Sequence, residues 1–181
     1  MLQQRQGGWM TTTLVLGGAR SGKSAYAQAQ AETAAGETSR PTMIVTAQAL
    51  DDEMRNRVAR HQADRDEHWL TLEAPLDLVG AISGLSKNDV AVVDCLTLWL
   101  SNLMAADVDI PTACSALVQA VAVTPARLWL VSNEVGWGIV PDNALARQFR
   151  DHAGRLHQDI AGAADEAILV VAGLAMTLKG R

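Results

Sequence analysis

Five short apolar runs recur along the chain, and none of them alternates with polar positions. They are rich in Val, Leu and Ile, which is typical of strands covered by helices on both faces. The runs are Thr12–Leu16, Met43–Thr46, Val90–Asp94, Leu128–Ser132 and Ala167–Val171. We therefore predict that these segments are buried strands of one sheet.

The segments between the apolar runs have helical periodicity. The clearest helix begins after Pro141, a residue that suits a first turn. Its apolar positions are Leu145, Phe149, His152 or Ala153, Leu156 and Ile160. Strands that alternate with helices predict an α/β fold with a mainly parallel sheet and helices on both faces, and ligands then bind at the carboxyl ends of the strands. Residues 105–112 break the pattern and are interpreted as a loop.

The composition favours a single globular domain. The 181 residues are 49% hydrophobic and 19% charged, which is typical of one compact domain. We expect an extension over residues 1–11 and one folded domain over residues 12–181. The net charge of -5 gives no basic surface for a nucleic-acid backbone, so we expect no nucleic-acid partner.

Several features of the chain favour the cytoplasm. Cys95 and Cys114 have no CxxC spacing and are interpreted as buried free thiols, which fits a reducing compartment. The N-terminus lacks the apolar core of a secretory signal. The longest strongly apolar stretch, residues 167–176, is too short to span a membrane.

One segment matches the phosphate-binding pattern G-x-x-x-x-G-K-[ST] between a predicted strand and a predicted helix. Its backbone N–H groups and the helix N-terminus attract phosphate oxygens, and Lys23 adds a cation for the β- and γ-phosphates. The hydroxyl of Ser24 is a ligand for Mg²⁺. The segment comprises Gly17, Gly18, Ala19, Arg20, Ser21, Gly22, Lys23 and Ser24. The match, in this context, predicts an α/β domain of the P-loop NTPase type.

Asp94 ends a later predicted strand, where its carboxylate is placed to hold Mg²⁺ directly or through water. The alternative interpretation is a solvent-facing aspartate in a turn, because such residues are common at strand ends.

A histidine on a predicted helix is a second chemical candidate. The segment from Asp51 to His61 begins with acidic residues and continues with helical spacing, so that Arg57 and Arg65 lie one turn on either side of His61. Nearby cations disfavour imidazolium and leave a ring nitrogen neutral and nucleophilic. A packing role for His61 fits the same pattern. We interpret His68, His152 and His157 as structural or exposed, and we predict no metal cluster with the cysteines.

Several short strings together resemble one family. These are GGARSGKS, TAQ at 46–48, DDEM at 51–54, RH at 60–61, DCLT at 94–97, NEVGWGIVP at 133–141 and RQFRD at 147–151. They resemble the bifunctional adenosylcobinamide kinase/adenosylcobinamide-phosphate guanylyltransferase family of cobalamin biosynthesis, over about residues 12–179. The phosphate-binding pattern is widespread, whereas NEVGWGIVP and DDEM with the following RH are far more specific.

The resemblance implies two reactions and a set of residues. The family phosphorylates adenosylcobinamide with ATP or GTP and then transfers GMP from GTP to the phosphate through a histidine–GMP intermediate, with Mg²⁺ as cofactor. The position that matches the family's nucleophile is His61. Lys23 is the second catalytic residue that the resemblance implies. The guanine-nucleotide site would be completed by Thr46, Ala47, Gln48, Gln62, Ala63, Asp64, Arg65 and Glu73. The resemblance also implies a homotrimer.

Two further interpretations stay open. Asn133, Glu134 and Trp137 follow the fourth predicted strand and suggest a corrinoid-binding or subunit-interface loop, although Trp137 suits the core as well. For the whole chain the rival functions are a small-molecule kinase that uses only the γ-phosphate, in which His61 is structural, and a nucleotide-gated switch. We recognise no effector segment in the sequence, which argues against the switch.

Overall fold

The computed structural model describes residues 11–37, 39–48 and 68–180, which form one seven-stranded sheet in the order β3-β2-β4-β5-β1-β6-β7. Neighbouring strands pair in parallel, except that β7 runs antiparallel to β6. The strands are β1 (Thr12–Gly17), β2 (Thr42–Val45), β3 (Leu70–Glu73), β4 (Val90–Asp94), β5 (Arg127–Asn133), β6 (Glu166–Val171) and β7 (Leu174–Lys179). The predicted α/β class and its mainly parallel sheet are confirmed.

Helices cover both faces of the sheet. They are α1 (Lys23–Ala35), α2 (Leu78–Ser83), α3 (Leu96–Ala105), α4 (Ile110–Val123) and α5 (Ala144–Ala163). Successive strand residues point to opposite faces. Leu14 accordingly packs in the core below α2 to α5, and Val15 packs in the core below α1. Among the described helices, none has both the length and the apolar character needed to cross a membrane.

The two edge strands, β3 and β7, were not predicted. Every residue of both strands is exposed, so neither shows the continuous apolar run of a buried strand. In β7, Leu174, Met176 and Leu178 alternate with smaller or polar residues, which is the period of an edge strand. The apolar stretch 167–176 is interrupted by a tight hairpin turn at Ala172 and Gly173, both with positive φ.

Two predicted boundaries were wrong. The loop assigned to residues 105–112 is shorter, because α4 begins at Ile110 and Pro111 lies in its first turn. Proline suits that position because N–H groups in the first turn have no intrahelical acceptor, so the N–H that proline lacks is not needed there. Pro141 does not start α5; the side chain of Asn143 caps that helix and accepts the N–H groups of Leu145 and Ala146 at 2.8 and 3.2 Å.

Candidate nucleotide site

The phosphate loop (Gly17–Ser24) leaves β1 in the interior of the sheet and leads directly into α1. The local structure predicted for it, a loop between a strand and a helix, is confirmed. Gly22 has a φ of 97°, a left-handed conformation that glycine adopts without strain. Arg20 is the loop's other residue with positive φ, at 56°. These angles turn the chain so that α1 starts beneath the loop.

Neighbouring strands hold the phosphate loop by its backbone. The carbonyl of Gly17 accepts the N–H of Glu134 at 3.0 Å, and the carbonyl of Ser21 accepts the N–H of Gly173 at 2.8 Å. A Cβ atom at Gly17 would lie 2.5 Å from the carbonyl oxygen of Val170. The first glycine is therefore required by the packing of β1 against β6, and the loop's shape is set by the protein itself.

The polar groups of the loop suit a phosphate. Lys23 is only 8% exposed, and its Nζ donates to the carbonyl of Gly18 at 3.1 Å, which keeps the ammonium over the loop. The hydroxyl of Ser21 is buried and finds no hydrogen-bond partner among the described residues. Ser24 is half-buried at the start of α1. Buried polar groups normally have partners, so a ligand oxygen is a fitting partner for Ser21.

Asp94 ends β4 at the same edge of the sheet as the phosphate loop. β5 separates β4 from β1, and its residues pair with Asp94 on one side and with Gly17 on the other. Burial is the main reason why the pKa of the Cys95 thiol is raised; the charge of Asp94 raises it further, and that of Lys23 lowers it. Asp94 and the phosphate loop thus lie on either side of β5 at one edge of the sheet.

Thr46 joins the ends of β2 and β4. It is fully buried, and its hydroxyl donates to the carbonyl of Cys95 at 2.7 Å and accepts the N–H of Cys95 at 2.8 Å. Asn102 adds a bond to the carbonyl of Thr46 at 2.7 Å. The side chain of Thr46 is thus engaged within the protein. Its predicted contact with nucleotide stays a prediction, as do those of the half-buried Ala47 and Gln48.

Glu73 lies at the end of the edge strand β3, far from the phosphate loop. β2, β4 and β5 separate β3 from β1, which at about 4.8 Å between strands places the two strands about 19 Å apart. Glu73 is also exposed. A role for Glu73 in binding the guanine end of a nucleotide stays a prediction.

A buried pair of polar side chains next to the loop was missed. Nε2 of His157 lies 2.7 Å from Oγ of Ser132, and Nδ1 lies 3.7 Å from Oε2 of Glu134. Burial lowers the pKa of His157, and Glu134 opposes that shift. The sequence signal was the position of His157 beside Leu156 on the apolar stripe of α5, which indicated burial but not a partner.

Comparisons with known proteins decide the family. Residues 13–178 match the family model described as CobU, cobinamide kinase / cobinamide phosphate guanyltransferase. The bifunctional adenosylcobalamin biosynthesis protein CobP of Pseudomonas aeruginosa is 45% identical over 170 residues, which cover 92% of this chain and 96% of the relative. The chain belongs to the CobU family.

Relatives named CobU are also similar over nearly their whole length. The bifunctional adenosylcobalamin biosynthesis proteins CobU of Escherichia coli and of Salmonella typhimurium are each 40% identical over 182 residues, covering 92% of this chain and 98% of the relative. Among solved structures, the flagellar accessory protein FlaH of Methanocaldococcus jannaschii has a TM-score of 0.53 at 14% identity, covering 94% of this chain and 79% of that one. That likeness concerns the P-loop NTPase fold alone.

Membership in the CobU family confirms the resemblance found in the sequence and the kinase and guanylyltransferase activities predicted from it. Nucleotides as substrates follow from the same assignment. The individual site residues stay predictions. The predicted nucleophile His61, its helix from Asp51, and the predicted nucleotide contacts Gln62, Ala63, Asp64 and Arg65 lie outside the described residues.

Proposed function

We propose that this CobU-family enzyme phosphorylates the hydroxyl of the aminopropanol arm of adenosylcobinamide with ATP or GTP, and then transfers GMP from GTP to the phosphate it has made. The observation that carries the proposal is the pre-shaped phosphate loop in a chain of this family. In the first step the hydroxyl oxygen bonds to the γ-phosphorus and the nucleoside diphosphate leaves. In the second step pyrophosphate leaves.

The loop and Lys23 act on the phosphates in both steps. The N–H groups at the start of α1 and the ammonium of Lys23 bind the β- and γ-phosphate oxygens, where they stabilise the charge that develops during transfer. The near-burial of Lys23 strengthens this interaction because little water competes for the ammonium.

The donor set fits Mg²⁺. The hydroxyl of Ser24 and the carboxylate of Asp94 are hard oxygen ligands, which this ion prefers, and both lie at the loop edge of the sheet. When bound, the ion supplies positive charge to the phosphate oxygens. We propose Ser24 and Asp94 as its protein contacts, directly or through water.

For guanylyl transfer we propose His61 as the nucleophile. A neutral ring nitrogen attacks the α-phosphorus, the bond to the bridging oxygen breaks, and pyrophosphate carries away the charge. A phosphate oxygen of adenosylcobinamide phosphate then attacks the same phosphorus and frees His61. The positive charges of Arg57 and Arg65 on the predicted helix support this assignment, because they keep the imidazole neutral.

The test is covalent labelling with GTP that carries ³²P at the α-phosphate. After incubation with Mg²⁺ and denaturation, the proposal predicts label on the protein that acid removes and base does not. His61→Ala should carry none, whereas His152→Ala, a change on helix α5, should label like the unchanged protein. Equal label on His61→Ala would reject His61, and no label on any protein would favour the kinase-only alternative.

Assembly and location are further parts of the proposal. Exposed apolar residues such as Trp137, Ile139 and Leu174 support a homo-oligomer, for which we propose the trimer implied by the family resemblance. The free state of Cys95 and Cys114 supports a cytoplasmic location. We propose residues 12–181 as the catalytic domain and residues 1–11 as an extension.

A further inference from the structure

Glu134 lies beside the phosphate loop with a buried histidine behind it. We propose that the carboxylate of Glu134 accepts the proton of the acceptor hydroxyl during phosphoryl transfer, and that His157 positions it. This inference rests on the proposed kinase step and names a base for it.

The backbone places Glu134 next to the phosphates. β5 lies between β1, which ends in the phosphate loop, and β4, which ends in Asp94. Asn133 pairs with Gly17, and the N–H of Glu134 donates to the Gly17 carbonyl at 3.0 Å. Since parallel strands end at a common edge, the backbone of Glu134 lies between the phosphate loop after β1 and the end of β4, where Asp94 lies. An acceptor that attacks the γ-phosphate meets this edge.

The side chain of Glu134 is held by neighbouring groups and is still partly exposed to solvent. Its Oε1 accepts the N–H of Gly136 at 2.7 Å, and its Oε2 lies 3.7 Å from Nδ1 of His157. The side chain is 19% exposed, which leaves a path by which the carboxylate can reach a bound hydroxyl and return a proton to solvent. Restriction of this kind favours proton transfer because the base need not be ordered during the reaction.

His157 is suited to position this carboxylate. Its side chain is 7% exposed, and its Nδ1 is buried with no hydrogen-bond partner among the described residues. A carboxylate facing Nδ1 favours the tautomer with the proton there, so that Nε2 accepts the hydroxyl of Ser132. Shortening the 3.7 Å gap by about 0.8 Å gives an ordinary hydrogen bond, and such bonds often tighten when substrate binds.

The same three residue types form a nucleophilic triad in hydrolases, but burial excludes that function here. Ser132 is fully buried and His157 nearly so, and a nucleophile has to meet its substrate. Of the three side chains, Glu134 alone is accessible. The group that does chemistry is therefore the carboxylate, with Ser132 and His157 as its support.

The proton balance distinguishes the two reactions of the enzyme. In the kinase step the hydroxyl oxygen bonds to the γ-phosphorus, its proton passes to Glu134, and the bond from the γ-phosphorus to the bridging oxygen breaks. In guanylyl transfer the attacking groups are a neutral imidazole and a phosphate oxygen that is already ionised near pH 7. Only the first reaction needs a base, so a defect at Glu134 should affect only that reaction.

Glu134→Gln is the first test, because it keeps the shape and the bond to Gly136 and removes the basic oxygen. We expect the kinase kcat to fall at least about 100-fold, the usual contribution of a general base. The KM for nucleotide, the label from α-labelled GTP and GMP transfer to supplied adenosylcobinamide phosphate should stay within about threefold. A kinase kcat within about threefold of the unchanged protein, or an equal loss of both activities, would overturn the proposal.

A matched pair at His157 tests the positioning role. The amide nitrogen of Asn reaches the place of Nδ1, whereas that of Gln reaches the place of Nε2. His157→Asn should therefore retain most of the kinase kcat. The kinase kcat of His157→Gln should be about tenfold lower than that of His157→Asn. The rate of guanylyl transfer should be the same in both variants. The reverse order would show that the bond to Ser132 matters instead. If the unchanged protein itself lacks kinase activity, the proposed function fails, which is a different result.

Discussion

Two loops leave the same edge of the sheet from neighbouring strands, and they differ in how the rest of the chain holds them. The phosphate loop after β1 is fixed by backbone bonds to Glu134 and Gly173. The loop after β5, residues 134–143, presents Trp137 at 75% and Ile139 at 97% exposure. One loop is packed into the protein, and the other offers apolar surface to a partner.

The difference matches what each loop is proposed to bind. Phosphate groups are alike in every nucleotide, so one fixed loop shape suits them all. A loop that already has this shape binds phosphate without losing conformational entropy. An exposed apolar loop gains most from burial against a large ligand or another chain. The phosphate loop is therefore shaped within one chain, whereas the loop after β5 is proposed to be covered by what binds to it.

Of the changes made within the two loops, Gly17→Ala in the phosphate loop is expected to have the largest effect. Gly17→Ala puts a Cβ atom 2.5 Å from the backbone oxygen of Val170, and a backbone oxygen cannot rotate away. Overpacking of this kind costs about 1–3 kcal/mol, so a loss of 2 kcal/mol lowers Tm by about 6 °C. Gly18→Ala is the matched control, since no described atom lies within 4 Å of its Cβ. Equal Tm values for the two variants would contradict the packing described for β1 and β6.

An intermediate effect is expected at the exposed loop. Trp137→Ala should change the free energy of unfolding by less than about 0.5 kcal/mol, because the side chain is 75% exposed. Trp129→Ala, at a site 8% exposed, should cost about 3–5 kcal/mol. If the loop binds the corrinoid, Trp137→Ala raises the KM for adenosylcobinamide and leaves that for nucleotide unchanged. A change in oligomeric mass with an unchanged KM would favour the subunit-interface alternative.

The smallest expected effect concerns His157, the buried histidine beside Glu134. Burial lowers the pKa of His157 in the folded protein. The unfolded chain then binds a proton at a higher pH than the folded chain, so the free energy of unfolding is greatest above the ordinary pKa of about 6.5 and declines as pH falls below it. Urea unfolding between pH 7 and pH 5 should show a shallower decline in His157→Asn. An identical decline would mean that His157 is not the group responsible.

The buried strands of the sheet could be predicted from the sequence, and the two edge strands could not. Buried strands such as β4 show continuous apolar runs, whereas the exposed edge strands β3 and β7 alternate and lack that signal. Trp69, Trp99 and Trp129 are buried in the interior. Cys95 is a buried thiol as predicted, but Cys114 is half-buried, with burial and Asp159 raising its pKa to about 11.

The candidate site divides in the same way. The phosphate loop is a local pattern of consecutive residues, so its strand and helix could be predicted together. The bond of Thr46 to Cys95 and the contact of Ser132 with His157 join residues 49 and 25 positions apart, and no spacing in the sequence encodes them. Such contacts depend on the order of strands in the sheet, which places β5 between β1 and β4.

The central claim is that one phosphate loop serves both reactions. Lys23→Ala removes its cation, and Lys87→Ala, an exposed change before β4, is the control. Transfer of ³²P from γ-labelled GTP to adenosylcobinamide and from α-labelled GTP to the protein should be measured side by side on each variant. We predict that Lys23→Ala lowers both rates at least about 100-fold and that Lys87→Ala lowers neither. A Lys23→Ala protein that loses γ-transfer but takes up α-label at the unchanged rate would contradict the claim.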